Sequence, residues 1–136
     1  MPKRPWVLVL AGLVGSIFAA CEQATSPSED FAAQGRWELQ SLGGTQVSNP
    51  ENFTITFGAD GELGTIADCN VCGGEYEVRG NGISIEIQFC TEAYCGDDSL
   101  DREYLEALAN TTRYTRQESQ LTLDYSGGAL IYQVSQ

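Results

Sequence analysis

Histidine is absent from the 136 residues, and lysine occurs once, at position 3. Each shortage removes a class of chemistry. A weak nucleophile needs a base beside it, so Ser-His-Asp, Cys-His and Ser-Lys arrangements cannot be built past the first few positions. Zinc sites that use imidazole go with them. Basic residues are scarce altogether: seven Lys and Arg stand against 19 Asp and Glu, a formal net charge of −12. Nucleic acids and anionic lipid surfaces are both held by Lys/Arg patches, so neither is an expected partner. No internal repeat is present, and no apolar run is long enough to span a bilayer. Residues 6–18 give 13 uncharged, mostly apolar positions, where a spanning helix needs roughly 20.

That short run has a different use. Lys3 and Arg4 precede it, and the small residues Ala19 and Ala20 close it before Cys21. A positive start, a short apolar stretch and small residues at the end make a secretory leader. The ending Phe18-Ala19-Ala20-Cys21 resembles a bacterial lipoprotein signal, with Phe18 where leucine is usual. The resemblance implies that Cys21 is acylated and becomes the mature N-terminus; an ordinary signal peptide cut near Ala20 is the other reading. Cysteine carrying two or three acyl chains anchors stably. Cleavage removes Lys3 and Arg4 and leaves five arginines against the 19 acidic residues, a charge of −14. Residues 21–35, rich in Ala, Ser, Gln and Glu and without apolar periodicity, read as a tether. Residues 36–136 then form one domain. In lipoproteins of bacteria with two membranes, Asp after the acylated cysteine favours inner-membrane retention. Glu22 stands there, so the outer membrane, facing the periplasm, is the expected location.

Five cysteines less one anchor leave an even four: Cys69, Cys72, Cys90 and Cys95. Export places them in an oxidising compartment, where disulfides persist. The Cys69-x2-Cys72 and Cys90-x4-Cys95 spacings lack the doubled Cys-x-x-Cys or histidines of a zinc site. A redox-active Cys69/Cys72 pair would be expected beside a βαβ pattern, which is missing. Two structural disulfides are therefore expected, with no cofactor and no metal.

Most of the domain alternates apolar and polar residues, the period of half-buried strands. The runs carry Phe53, Ile55 and Phe57; Ile83, Ile85, Ile87 and Phe89; Leu121, Leu123 and Tyr125; and Leu130, Tyr132 and Val134. Trp37 and Leu39 mark an earlier strand. Gly43-Gly44, Asp60-Gly61, Asn81-Gly82 and Gly127-Gly128 punctuate them, and Asn-Gly between alternating runs is a strong hairpin signal. One stretch differs. Leu100, Tyr104 and Leu108, with Leu105 beside them, predict a helical face, with Asp98 or Ser99 as cap and Asp101 at the positive end of the dipole. The expected fold is mainly β: a small antiparallel barrel or sandwich of seven or eight strands with one helix and two disulfides.

A two-residue Asn81-Gly82 loop would set Gly80 opposite Ile83, Val78 opposite Ile85, Tyr76 opposite Ile87 and Cys72 near Thr91. Ideal alternation then points Cys72 inward and Cys90 outward, so a bridge between them needs a bulge, for which Gly73-Gly74 is suited. Of three possible connectivities, Cys69–Cys95 with Cys72–Cys90 is favoured; the others stay open.

Four segments now resemble one family. They are GRWELQSLGG with Trp37 and Leu39; CNVCGGEY with Cys69, Asn70, Gly74 and Tyr76, and Cys72 in a slot usually aromatic; TEAYC with Thr91 and Cys95; and REYLEAL followed by LTL and ALIY. Their order and spacing resemble the META domain, the HslJ-like family of exported bacterial proteins. The resemblance implies a compact antiparallel β fold, barrel-like, with one helix. It also implies the Cys69–Cys95 bridge, leaving Cys72 and Cys90 for each other. Members of the family are linked to heat or envelope stress, antibiotic resistance and, in protozoa, virulence; no reaction or ligand comes with that.

No catalytic residues are expected. Paired carboxylates could serve a glycosidase, but a single small domain without an evident cleft argues against an enzyme. Asp97, Asp98, Asp101 and Glu103 form the densest acidic cluster, which would suit calcium but lacks a loop signature; capping and solvated charge explain it. Asn70 is expected in a turn, where Asn tolerates left-handed geometry. Tyr76 should face the core and need a hydroxyl partner; Trp37 should be core, or line a pocket. Two functions remain: an envelope interaction module offering an acidic surface to a protein partner, or a small barrel carrying an apolar ligand such as a lipid or lipophilic drug.

Overall fold

The structure, a computed structural model, describes Gly15 and residues 35–135. Apart from Gly15, the leader (1–20) lies outside the described residues, as do Cys21 and nearly all of the tether (21–35). Nine strands and a helix succeed one another in chain order: β1 (Arg36–Leu42), β2 (Thr45–Gln46), β3 (Phe53–Phe57), β4 (Glu62–Ala67), β5 (Asn70–Arg79), β6 (Gly82–Cys90), α1 (Asp101–Ala109), β7 (Thr111–Gln117), β8 (Gln120–Tyr125) and β9 (Gly128–Val134). Every neighbouring pair is antiparallel. Pairing of β1 with β9, through Trp37–Val134 and Leu39–Tyr132 among others, closes eight strands into a barrel. The two-residue β2 is a short extra strand laid on β1. Closure removes the open edges that a sheet this size would otherwise expose.

The weak seam is between β6 and β7, joined through the single pair Gly82–Arg113. Helix α1 fills the space, packing on β6, β4 and β8. Its inward face is the one the spacing predicts: Tyr104, Ala107 and Leu108 are buried, with Leu100 and Leu105 partly so. The Ser99 hydroxyl accepts the Asp101 N–H at 3.2 Å and donates to Asp68 Oδ2 at 2.7 Å, tying the helix start to the β4–β5 turn.

The alternating residues meet inside the barrel. Trp37, Leu39, Phe53, Ile55, Phe57, Leu121, Leu123, Leu130 and Tyr132 are all at most 1% exposed and belong to one packed cluster. Trp37 is thus core. Three hydroxyls cross this apolar interior in a chain. The Thr65 hydroxyl donates to the Thr54 carbonyl at 2.7 Å, which uses its one hydrogen. Tyr104 therefore donates to Thr65 Oγ1 at 2.9 Å, and Tyr132 donates to Tyr104 at 3.0 Å. Burial pushes the Tyr104 phenol up to about 12 and raises Tyr132 well above its ordinary value.

Two consequences are measurable. Tyr104→Phe leaves the buried Tyr132 hydroxyl with no acceptor, a loss of about 2–3 kcal/mol, whereas Tyr132→Phe removes only the terminal donor, about 1 kcal/mol. Urea unfolding of the two variants checks that order. The pH dependence has a fixed sign. A phenol whose folded pKa lies above its unfolded value of 10 stabilises the fold fully below pH 10. That contribution is lost as pH rises towards about 12, so the urea midpoint is expected to stay level up to about pH 10 and then fall.

Two sequence expectations are corrected at the β5–β6 hairpin. The loop is Gly80-Asn81, with Arg79 opposite Gly82, one position earlier than Asn81-Gly82. Gly80 has φ +60°, and glycine at the first central position is what a type II′ turn uses. Val78 consequently faces Ile83, and Tyr76 faces Ile85; the two-residue slip keeps every apolar residue on its face. The register then shifts between Gly73 and Gly74: Gly74 faces Ile87, Gly73 faces Phe89 and Cys72 faces Cys90. The bulge falls at the expected glycines, but the extra residue, Gln88, is on β6. It reverses the parity of the positions beyond it, so Phe89 points outward and is 66% exposed instead of continuing the buried row.

Candidate functional site

Four of the family-like residues, Cys69, Asn70, Thr91 and Cys95, meet at the mouth of the barrel where β5 begins. Asn70 is the first residue of β5 and 5% exposed. Its Oδ1 accepts the Ala93 N–H at 2.7 Å and the Thr91 hydroxyl at 3.0 Å. Its Nδ2 donates to the Ala93 carbonyl at 3.0 Å and lies 3.4 Å from Cys95 Sγ and 3.5 Å from Asp101 Oδ2. Thr91 Oγ1 in turn accepts the Val71 N–H at 3.0 Å. Disulfide Cys69–Cys95, with a Cα separation of 5.5 Å, fastens the same loop to the same turn, and the Cys69 N–H donates to Cys95 Sγ at 3.3 Å. One amide thus pins residues 91–95, which lead into α1.

The expectation of a left-handed Asn70 is overturned. The positive φ of this turn belongs to Asp68, at +58°, and Asn70 is extended. Asp and Asn share that tolerance, so the position fell to the neighbour, and the amide is free to bond across the mouth. Asn70→Ala would strand the Ala93 N–H and the Thr91 hydroxyl. We expect a loss of about 2–3 kcal/mol and, by hydrogen exchange, faster opening of residues 91–100 than of the barrel strands.

The second disulfide, Cys72–Cys90, joins directly opposite residues of β5 and β6, with Cα atoms 4.1 Å apart. Tyr76 is buried, donates to the Gly58 carbonyl at 2.6 Å and packs edge-on against Phe57 at 4.9 Å. Burial, with Asp60 nearby, raises its pKa. Gly74 sits under the backbone of β6, with the Glu86 carbonyl carbon 2.9 Å and Ile87 Cα 3.0 Å from where a Cβ would stand. Trp37, Gly74 and Tyr76 therefore build the barrel, and Asn70 and Thr91 close its mouth.

The acidic cluster does not converge. Among the described residues, no three Asp, Glu, Cys or His groups are placed to hold a metal ion. Asp97 accepts the Tyr94 hydroxyl, which is held up in pKa by that bond, and Asp101 faces Asn70. Glu103 lies instead on another groove, of about 460 Å³, lined by Leu42, Leu100, Ala107 and Tyr125. Two features escaped the sequence reading: the Thr65–Tyr104–Tyr132 chain, whose members are far apart in sequence, and an exposed apolar patch at Val71 and Phe89. A parity break in an otherwise alternating run leaves no local signal.

A closed barrel of eight antiparallel strands with one helix across its seam defines the structural class. The META domain model matches residues 29–136, and the chain belongs to the META domain family. No curated protein matches it. Solved structures share the fold, three of them as follows. A DUF4847 family protein from Bacteroides vulgatus, solved at 1.00 Å, is 18% identical at a TM-score of 0.58, covering 79% of this chain and 96% of its own. A protein solved by NMR is 22% identical at 0.63, covering 81% and 96%. A Burkholderia xenovorans protein solved by NMR is 18% identical at 0.61, covering 99% of both chains.

Proposed function

We propose that the chain is an envelope lipoprotein, anchored through acylated Cys21 and a tether of residues 21–35, whose META barrel is a non-catalytic interaction module with a role in envelope or stress functions. The observation that carries this reading is the filled interior. Trp37, Phe53, Phe57, Leu108 and Tyr132 meet in one cluster where a carrier of this size would hold its ligand. Four cysteines tied in two disulfides support both an oxidising compartment and the absence of a catalytic thiol. Glu22 favours the outer membrane, facing the periplasm.

One observation favours the second reading, carriage of an apolar ligand. The groove at Leu42, Leu100, Ala107 and Tyr125, about 460 Å³, is within the size of small-molecule pockets. Titration with the fluorophore N-phenylnaphthylamine separates the two. A module gives no saturable uptake, and Glu103→Trp, at an exposed residue of the groove, changes nothing. Saturable one-to-one uptake that Glu103→Trp blocks would overturn the module in favour of the carrier.

A further inference from the structure

The register of β4, β5 and β6 lays out a small lattice on the outside of the barrel. One row is Glu62, Glu75 and Glu86: Glu62 is directly opposite Glu75, and Glu75 directly opposite Glu86. Like charges placed so are destabilising. The ion pairs Arg36–Glu38 and Arg79–Glu77 both lie outside this row. Two residues along β4 and β5, about 7 Å away, and three along β6 across the bulge, the next row is Gly64, Gly73 and Phe89. The bulge turns Phe89 outward over Gly73; a Cβ there would strike its ring, with Cε1 2.7 Å away. A Cβ at Gly64 would meet nothing within 4 Å, which leaves a shallow trough. The third row pairs Ile66 with Val71, itself 56% exposed.

We propose that this face docks an extended basic segment of a partner protein, with lysines or arginines over the Glu62–Glu75–Glu86 row and an apolar anchor on Phe89 and Val71. The inference rests on the module reading above and names its partner class. Charge complementarity selects the occupant. A second copy would set the carboxylate row against itself, and an anionic membrane would meet a chain of net charge −12. The acidic side continues into an open groove of about 470 Å³ lined by Asp60, Glu75, Glu77 and Glu86, which extends the attraction past the row. Apolar contact supplies what exposed charge pairs alone do not, since these are weak and salt-screened.

The test uses a synthetic peptide of alternating lysine and leucine, titrated into the isotope-labelled chain at low salt and followed by amide NMR shifts. Shifts are expected along Gly64–Ile66, Val71–Glu75 and Glu86–Phe89. Phe89→Ser, or independently Val71→Ser, is expected to weaken binding at least about tenfold. The Glu75→Gln/Glu86→Gln variant should weaken it several-fold and flatten its salt dependence. Asp97→Asn/Asp98→Asn should leave it unchanged, and a glutamate–leucine peptide should not bind. The proposal is overturned if shifts gather at the Asp97–Asp98 loop, if Phe89→Ser and Val71→Ser have no effect, if Phe89→Ser instead abolishes self-association of the chain, or if anionic vesicles bind as well as the peptide. Failure of the module reading looks different: a fluorophore taken up in the helix-side groove moves Leu42, Leu100, Glu103 and Tyr125 and leaves this face still.

Discussion

Loss of both disulfides is expected to lower the stability of the barrel by about 6 kcal/mol, close to everything a domain of this size has. Chain entropy sets the scale. Cys69–Cys95 spans 26 residues and Cys72–Cys90 spans 18, so each alone constrains the unfolded chain by about 3 kcal/mol. The loops are nested. Once the inner one is closed, the outer bridge closes a loop of only about ten residues, so the pair falls slightly short of its separate values. Cys69→Ala/Cys95→Ala, Cys72→Ala/Cys90→Ala and the fourfold variant, unfolded in urea, measure all three. The outer pair should also loosen residues 91–100, because Cys95 and Asn70 hold the same loop. A fourfold variant as stable as the parent would remove the bridges from the account of the fold.

Gly74→Ala is expected to cost about 3 kcal/mol, for a steric reason that a matched control isolates. Gly74 is flanked on both sides, by Leu63 of β4 and Ile87 of β6. An added methyl runs into the Glu86 carbonyl, which is backbone and cannot swing aside. Relief requires prising β6 from β5 next to the Cys72–Cys90 bridge. Gly64, on the neighbouring strand, has open space where its methyl would go. There the substitution should be neutral, or stabilising by up to about 1 kcal/mol through the unfolded chain. Parallel thermal melts of the two variants decide the matter; equal effects would refute the steric argument.

The contrast between these glycines also indicates what a sequence reading can reach. Alternation at Phe53-Ile55-Phe57, Leu121-Leu123 and Leu130-Tyr132 is a local consequence of the pleat, and each of these residues points inward as its period says, all of them buried. The helix face at Tyr104 and Leu108 is equally local. Closure of the barrel is not, because Trp37 and Val134 pair across nearly the whole domain. The hairpin loop is ambiguous by one position in the sequence because Gly80 and Gly82 flank Asn81 on both sides, and only the turn geometry chooses between them. The outward turn of Phe89 is hidden for a related reason: one extra residue at Gln88 inverts every side chain after it. The bulge was legible only through the demand of Cys72 for Cys90. For the candidate site, Asn70, Gly74, Tyr76 and Thr91 could be picked out as motif residues. Their work as loop clamp, strand contact, core phenol and second clamp appeared only with the third dimension.

The interior and the outer face thus divide the work of this META barrel. Large side chains and a hydroxyl chain fill the inside, two bridges and one asparagine hold the mouth, and the outward lattice on β4–β6 is the face proposed above to dock a partner. Native mass spectrometry of the full chain, purified from bacterial membranes without reductant, tests this most directly. The account predicts a polypeptide lacking residues 1–20, acylated at Cys21, four hydrogens lighter for its two disulfides, and free of any apolar ligand. A co-purifying lipid or drug-sized adduct, or free thiols at Cys69, Cys72, Cys90 or Cys95, would contradict it.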